Sequence, residues 1–377
     1  MDPWVAAAAP RVALVAERDL EALVGVSTPS GDVQGAEEAV ALAAAFLPPE
    51  AELERLECSS PGHAPDLCGR LRGTGEPRLL LLGHLDTVVS HRAHRALERD
   101  GDRLIGSGAV DMKGGVALAL GVMRELVERP ELYAEAAVLL VNDEEWRTAP
   151  FGHAARFEGF EACVCFEAGE RSGEGHEAVV VKRKAAGTLR VEAHGRPAHS
   201  GSAPEYGRSA LLALAAAAMQ IAEQSDPPGP ERLTAVPTIM RSGEAFNVVP
   251  AHGELVCDLR ADRLAAFEPV LGAVPGEIDG VRLSATMVRA WPGMDTRAAS
   301  AETLEAAAAR LGRPIVGAER GGASDASHMA SHIPLTIDGL GPRGGGAHAP
   351  HEWVSVDSLR MRAEVALAVV AALLDGC

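Results

Sequence analysis

Aromatic residues are scarce, with 7 Phe, 4 Trp and 2 Tyr in 377 residues. That excludes the stacking platforms used to bind single-stranded nucleic acid. Positive charge is also short: 35 Lys and Arg face 53 Asp and Glu, a formal net charge of −18. Such a surface does not neutralise duplex phosphates or dock on anionic lipid, so neither nucleic acid nor membrane is an expected partner. No stretch reaches transmembrane length without a charge. Met1-Asp2-Pro3-Trp4 and the alanines after it lack the basic region and apolar segment of a signal peptide. The six cysteines, Cys58, Cys68, Cys163, Cys165, Cys257 and Cys377, form neither a CxxC pair nor a disulfide framework. Cys163 and Cys165 read as buried thiols in an apolar run, and reduced cysteines suit the cytoplasm. Internal repeats are absent.

What is present is a long, alanine-rich chain whose length predicts two domains. Helices are expected over Val12–Val26, Ala36–Phe46 and Met112–Leu126. Short apolar strands are expected at Leu79–Leu82, Ala136–Val141 and Ala162–Phe166. Apolar on every side, such strands are buried on both faces, and their alternation with helices implies a largely parallel sheet. Around Ala178 the texture changes. Strands at Val179–Val181, Thr188–Ala193, Thr234–Met240, Glu254–Leu259 and Val281–Val288, with helices at Ser209–Glu223 and Ala265–Leu271, read as an α+β block. The first texture then returns, with helices at Ala301–Leu311 and Asp357–Leu374 and strands near Ile315 and Leu335. The expected organisation is an α/β domain (1–182 and 293–377) interrupted by an inserted α+β domain (183–292).

In open α/β sheets, functional groups gather beyond the carboxyl ends of strands. The Leu79–Leu82 run leads into Gly83-His84-Leu85-Asp86-Thr87. A single His there is commonly structural, but Asp86 can hold its second ring nitrogen and turn the first toward a metal. Gly106-Ser107-Gly108-Ala109-Val110-Asp111 leaves Asp111 at a loop-to-helix junction, where an Asp also serves as a simple cap. Val138–Val141 ends in Asn142-Asp143-Glu144-Glu145. A row of acids is ordinarily a solvated loop, yet adjacent carboxylates at a buried strand end repel unless cations or raised pKa values relieve them. Glu167 follows another buried strand, and His348 lies in the loop Gly344–Glu352. Together these imidazoles and carboxylates form an N/O donor set that suits zinc or manganese.

The chain resembles the zinc-dependent exopeptidase and deacylase family of glutamate carboxypeptidases, aminoacylases, acetylornithine deacetylase and succinyl-diaminopimelate desuccinylase. The resemblance spans nearly the whole chain. Its motifs are GHLDTV (83–88), GSGAVDMKGG (106–115), DEE (143–145), GRPAHSG (195–201), GGASDASHMA (321–330) and GGGAHAPHEWV (344–354). It is strongest to the glutamate-carboxypeptidase branch. It implies a mostly parallel-sheet catalytic domain with a ferredoxin-like lid and dimerisation domain. It implies two zinc ions, replaceable by cobalt or manganese, with Asp111 shared between them. His84 and Glu167 complete one site; Glu145 and His348 complete the other. Asp86 orients His84, and Glu144 is the general base that takes a proton from the water and returns it to the leaving nitrogen. His199 stabilises the oxyanion across a homodimer. Asn247, Arg289, Ser324 and Asp325 contact substrate, and a cis peptide follows Asp111.

The implied reaction is hydrolysis of a peptide or N-acyl amino acid, with glutamate as the expected amino acid. The alternatives are a deacylase or dipeptidase acting on another amino acid, or a non-catalytic ligand-binding member. The chain departs from the family at Trp146-Arg147-Thr148-Ala149-Pro150-Phe151-Gly152, where many relatives carry a short Gly/Ser turn. Trp146 and Arg147 either reshape the pocket wall or fold outward. His351 rivals His348 as a ligand, whereas His328 and His332 read as structural or substrate-lining.

Overall fold

The computed structural model describes residues 1–375, so Cys377 lies outside the described residues. They form two compact units. The first comprises Met1–Lys182, Asp295–Glu319 and the segment from Ser324 onward; the second comprises Arg183–Met294 with Arg320–Ala323.

The first unit is α/β. Its six-stranded sheet runs in the order Glu52–Leu56, Asp66–Arg72, Glu135–Val141, Arg78–His84, Ala162–Cys165, Leu335–Ile337. The last four strands are mutually parallel, and the first two add on antiparallel. Glu135–Val141 is buried along its whole length, as its unbroken apolar run requires. Helices Pro3–Gly25, Val33–Phe46, Gly114–Leu126, Arg297–Leu311 and Val356–Asp375 belong to this unit. Leu20, Leu23, Leu80, Leu81, Leu118 and Leu367 lie in its core.

Several boundaries differ from the sequence expectation. The first helix starts at Pro3, capped by the Asp2 side chain, and continues through Pro10. Pro at the first helical position costs nothing there, and the alanines that follow carry the helix on. The helix expected from Met112 begins at Gly114, after an irregular turn over Ala109–Lys113 in which Asp111 and Met112 are not helical. The strand Glu52–Leu56 lies outside the sequence expectation, because four of its five residues are exposed and show no apolar alternation.

The second unit is α+β. Its antiparallel sheet has the order Thr234–Ser242, His252–Ala261, Ala185–His194, Val281–Trp291, Glu277–Ile278. With the helix Ala210–Ala222 and the turn-and-helix Leu264–Phe267 and Glu268–Gly272, the chain order is the split βαβ arrangement of ferredoxin-like folds. Leu189, Val191, Leu214, Ile221, Leu255 and Leu259 fill the space between helices and sheet.

Candidate metal centre

Three parallel strands deliver functional residues at the same sheet edge. Arg78–His84 ends on His84, Glu135–Val141 runs into Glu144 and Glu145, and Ala162–Cys165 precedes Glu167. His84 is buried, with Nε2 3.2 Å from Asp111 Oδ1 and 3.8 Å from Glu167 Oε1. On the other side of Asp111, Oδ2 lies 3.1 Å from His348 Nε2, which is also 3.2 Å from Glu145 Oε2. The result is two three-residue groups, His84–Asp111–Glu167 and Asp111–Glu145–His348, that share Asp111. His351 belongs to neither group among the described residues.

The supports of these groups are equally specific. His84 Nδ1 lies 3.0 Å from the Asp86 carbonyl oxygen and 3.3 Å from Asp86 Oδ1. The Asp86 carboxylate also accepts the backbone N–H of Glu144 and of Glu145, each at 3.1 Å. One buried acid thus faces the first imidazole and holds the acidic turn. The Asp111–Met112 peptide is cis, and His348 has φ of 64°. A non-glycine residue in that left-handed region persists only where its surroundings hold it.

Two further supports were not visible in the sequence. The buried Glu352 carboxylate accepts N–H bonds from Gly108, Val110 and Asp111 at 2.9, 2.8 and 2.9 Å. Lys113 is buried and donates to the carbonyls of Leu23 and Val26 at 3.0 and 2.7 Å. Glu352 sits inside a recognisable motif, and an acid directly before the apolar pair Trp353-Val354 is the only local sign of its burial. Arg147 folds inward rather than outward. Its guanidinium pairs with both Asp143 and Asp325, while Trp146 is 61% exposed.

Electrostatics reflect the crowding. Burial pushes the Glu144 carboxyl well above the usual range; His84 opposes this, and Asp325, Glu167 and Glu145 add to it. Burial also raises Glu145 against the pull of His348. At Asp111 burial acts upward too, but His348 and His84 outweigh it and hold the carboxyl below its usual range. Hydrogen bonds to Asp111 and Glu145 push His348 up to about 10. Burial brings Glu352 up to about 7, against the three amides that favour its charged form.

The donor set fits divalent cations. Each group combines one imidazole with two carboxylates, all ligand atoms lying within 4.8 Å of one another. Glu145 Oε1 is buried without a hydrogen-bond partner among the described residues, a buried acceptor that a bound cation would satisfy. Such hard and borderline donors suit zinc, cobalt or manganese.

Ser324 and Asp325 are also in the first unit, and both are buried. The Ser324 hydroxyl donates to Asp338 at 2.6 Å, and Arg147 takes both Asp325 oxygens. His328 stacks on Phe151, and the exposed His332 lies 3.2 Å from Glu158. His199, Asn247 and Arg289 belong to the second unit. His199 is exposed, and its Nδ1 accepts N–H bonds from Gly201 and Ser202 at 3.1 and 3.2 Å. That leaves Nε2 to carry the proton. The Asn247 carbonyl accepts the Ser200 N–H at 3.0 Å. This backbone bond ties the His199 turn to the segment before Val248. The Arg289 guanidinium lies over the Trp291 ring, 4.7 Å from its centre.

The chain is similar to known proteins over most of its length. Residues 80–372 match the model of "Peptidase family M20/M25/M40". The chain is 26% identical over 374 residues to carboxypeptidase G2 from a Pseudomonas species, covering 94% of this chain and 88% of that one. It is 31% identical over 329 residues to succinyl-diaminopimelate desuccinylase from Acidiphilium cryptum, covering 81% and 85%. The aminopeptidase PepT structure from Bacillus cereus shares the fold, with a TM-score of 0.74 and 20% identity over 96% of this chain and 98% of that one. With its fold, its paired donor groups and a family match over most of its length, this chain belongs to peptidase family M20/M25/M40.

Proposed function

We propose that this protein is a two-metal amidohydrolase that releases an amino acid, with glutamate preferred, from a peptide or N-acyl conjugate. The observation that carries the reading is the sharing of Asp111 by two donor groups, with Glu144 directly beside Glu145. Asp111, His84 and Glu167 would hold one zinc ion, and Asp111, Glu145 and His348 would hold the other. Bound cations supply Lewis acidity, acidifying the attacking water and polarising the scissile carbonyl. Glu144 takes the proton from that water and delivers it to the leaving nitrogen as the C–N bond breaks. Its burial suits the task, because burial raises the pKa of the carboxyl and with it the basicity of the carboxylate. Asp86 keeps His84 and the Glu144 turn in register.

In the second unit, the proton on Nε2 equips His199 to donate to an oxyanion, and the Arg289 guanidinium grips a substrate carboxylate. Asn247 lines the substrate, whereas Ser324 and Asp325, expected to contact substrate, are buried and taken up by Asp338 and Arg147 instead. Homodimerisation through this unit is supported by exposed Leu211, Leu212 and Met219 on one helix. Val236, Ile239 and Met240 are exposed on the edge strand Thr234–Ser242, and an open edge of this kind invites pairing with a second copy. Sedimentation of the purified protein tests this, with a monomer at micromolar concentration as the contrary result. Free thiols at Cys58, Cys68, Cys163, Cys165 and Cys257 support a cytoplasmic setting. No helix among the described residues is long and apolar enough to cross a membrane.

The deciding experiment is a substrate panel on metal-reconstituted protein: acyl-glutamates, a folate-type conjugate, acyl-arginine, succinyl-diaminopimelate and dipeptides. Preference for the glutamate conjugates supports the reading. Preference for succinyl-diaminopimelate moves it to the deacylase alternative, which the 31% identity to a desuccinylase favours. No turnover of any member removes it.

A further inference from the structure

We propose that Arg147 is a positioning residue that locks the Glu144–Glu145 turn against the helix Asp325–Met329. The proposal rests on the catalytic reading of Glu144 given above. Arg147 Nε and Nη2 both donate to Asp143 Oδ1, at 3.1 and 2.8 Å. Nη1 donates to Asp325 Oδ1, and Nη2 to Asp325 Oδ2 at 2.8 Å. The side chains of Arg147, Asp143 and Asp325 are 2%, 0% and 4% exposed. One planar fork therefore bridges two buried carboxylates, an arrangement that a lysine's single ammonium cannot reproduce.

The placement along the chain gives the bridge its consequence. Asp143 precedes the glutamate pair and Arg147 follows it, so their ion pair closes a ring around Glu144 and Glu145. From the opposite side, Asp86 accepts the amides of the same two glutamates. The turn is thus held by an anion at its amides and by a cation across its ends. Asp143 is itself fixed by the Ser60 N–H at 2.9 Å, and Thr148 N–H reaches Ser60 Oγ at 2.9 Å. Phe151 covers the guanidinium at 4.7 Å and stacks on His328. Trp146, between the inward Glu145 and Arg147, is the residue turned to solvent. A general base displaced by about 1 Å loses roughly 100-fold in rate, so a clamp on both sides of Glu144 bears on turnover more than on binding.

The test separates positioning from plain stability. Arg147→Met alone strands two buried acids and is expected to unfold readily. The neutral triple variant Asp143→Asn/Arg147→Met/Asp325→Asn removes all three charges and restores stability. In that variant, hydrogen exchange at the Glu144 and Glu145 amides is expected to rise at least about 10-fold, with the strand Arg78–His84 unchanged. With an acyl-glutamate substrate, kcat falls at least about 10-fold while KM moves less than about 3-fold. Arg147→Lys falls between wild type and the triple variant in both readouts, and it serves alone if the triple variant does not fold. Wild-type exchange at both amides in the triple variant, or in Arg147→Lys if that is the one that folds, overturns the proposal. Absence of turnover in the wild type overturns the catalytic reading instead, and the exchange measurement still decides the role of Arg147.

Discussion

The Glu352 carboxylate accepts the backbone N–H of Asp111 at 2.9 Å, and the same oxygen takes the Val110 N–H at 2.8 Å. A residue four positions past His348 therefore fixes the loop that carries the shared carboxylate. Glu352→Ala leaves three amides without their acceptor. It is expected to lower stability by about 1–3 kcal/mol and metal affinity by roughly 10- to 100-fold. Urea unfolding and competition with a chromophoric chelator read the two effects.

Glu144→Gln keeps the volume and removes the base. Metal content, measured by elemental analysis, is expected to stay at the wild-type level while kcat falls by about 10²–10⁴. Wild-type turnover in this variant would assign the proton transfer to another group.

Removal of metal by a chelator is expected to abolish turnover and lower the melting temperature, because a ligand that binds only the folded state stabilises it. Zinc, cobalt or manganese restores both. The thermal shift should be lost in His84→Ala and Asp111→Ala.

Gly115 is the second residue of the helix Gly114–Leu126, and a Cβ there would lie 1.8 Å from the Phe166 carbonyl oxygen. Gly115→Ala forces this helix away from the strand end that carries Glu167, at a cost of about 1–3 kcal/mol or more. Gly25→Ala, with nothing within 4 Å of the added carbon, is expected to be neutral or stabilising by up to about 1 kcal/mol. Paired thermal melts of the two variants check the contrast.

Glu177 gives a pH signature away from the metal centre. Burial raises its pKa, but Arg362 and Arg343 outweigh that and hold it below its ordinary value. The stabilisation is complete above the unfolded value of about 4.3. It disappears as pH falls through the lower folded value. Acid unfolding of Glu177→Gln should show a shallower slope below about pH 4.3 and lower stability at neutral pH, since Arg362 is left buried without its carboxylate.

The strands that build the site were legible because they are apolar on every face. Leu79–Leu82 and Ala136–Val141 could only be central strands, and His84 and Glu145 had to emerge near their ends. The edge strand Glu52–Leu56 was not legible, because an exposed strand needs no apolar pattern. The supports of the site were hidden for a different reason. Arg147 meets Asp325 across 178 positions, and Glu352 meets Asp111 across 241. Local patterns of charge and hydropathy carry no trace of such partnerships.

The span between Asp111 and Glu352 also bears on biosynthesis. During translation, the segment holding His84, Asp111, Glu145 and Glu167 leaves the ribosome long before His348 and Glu352. Until the closing loop arrives, the Asp111 loop has no acceptor for its amides and one donor group lacks its imidazole. A chain that ends before His348 is therefore unable to assemble both donor groups.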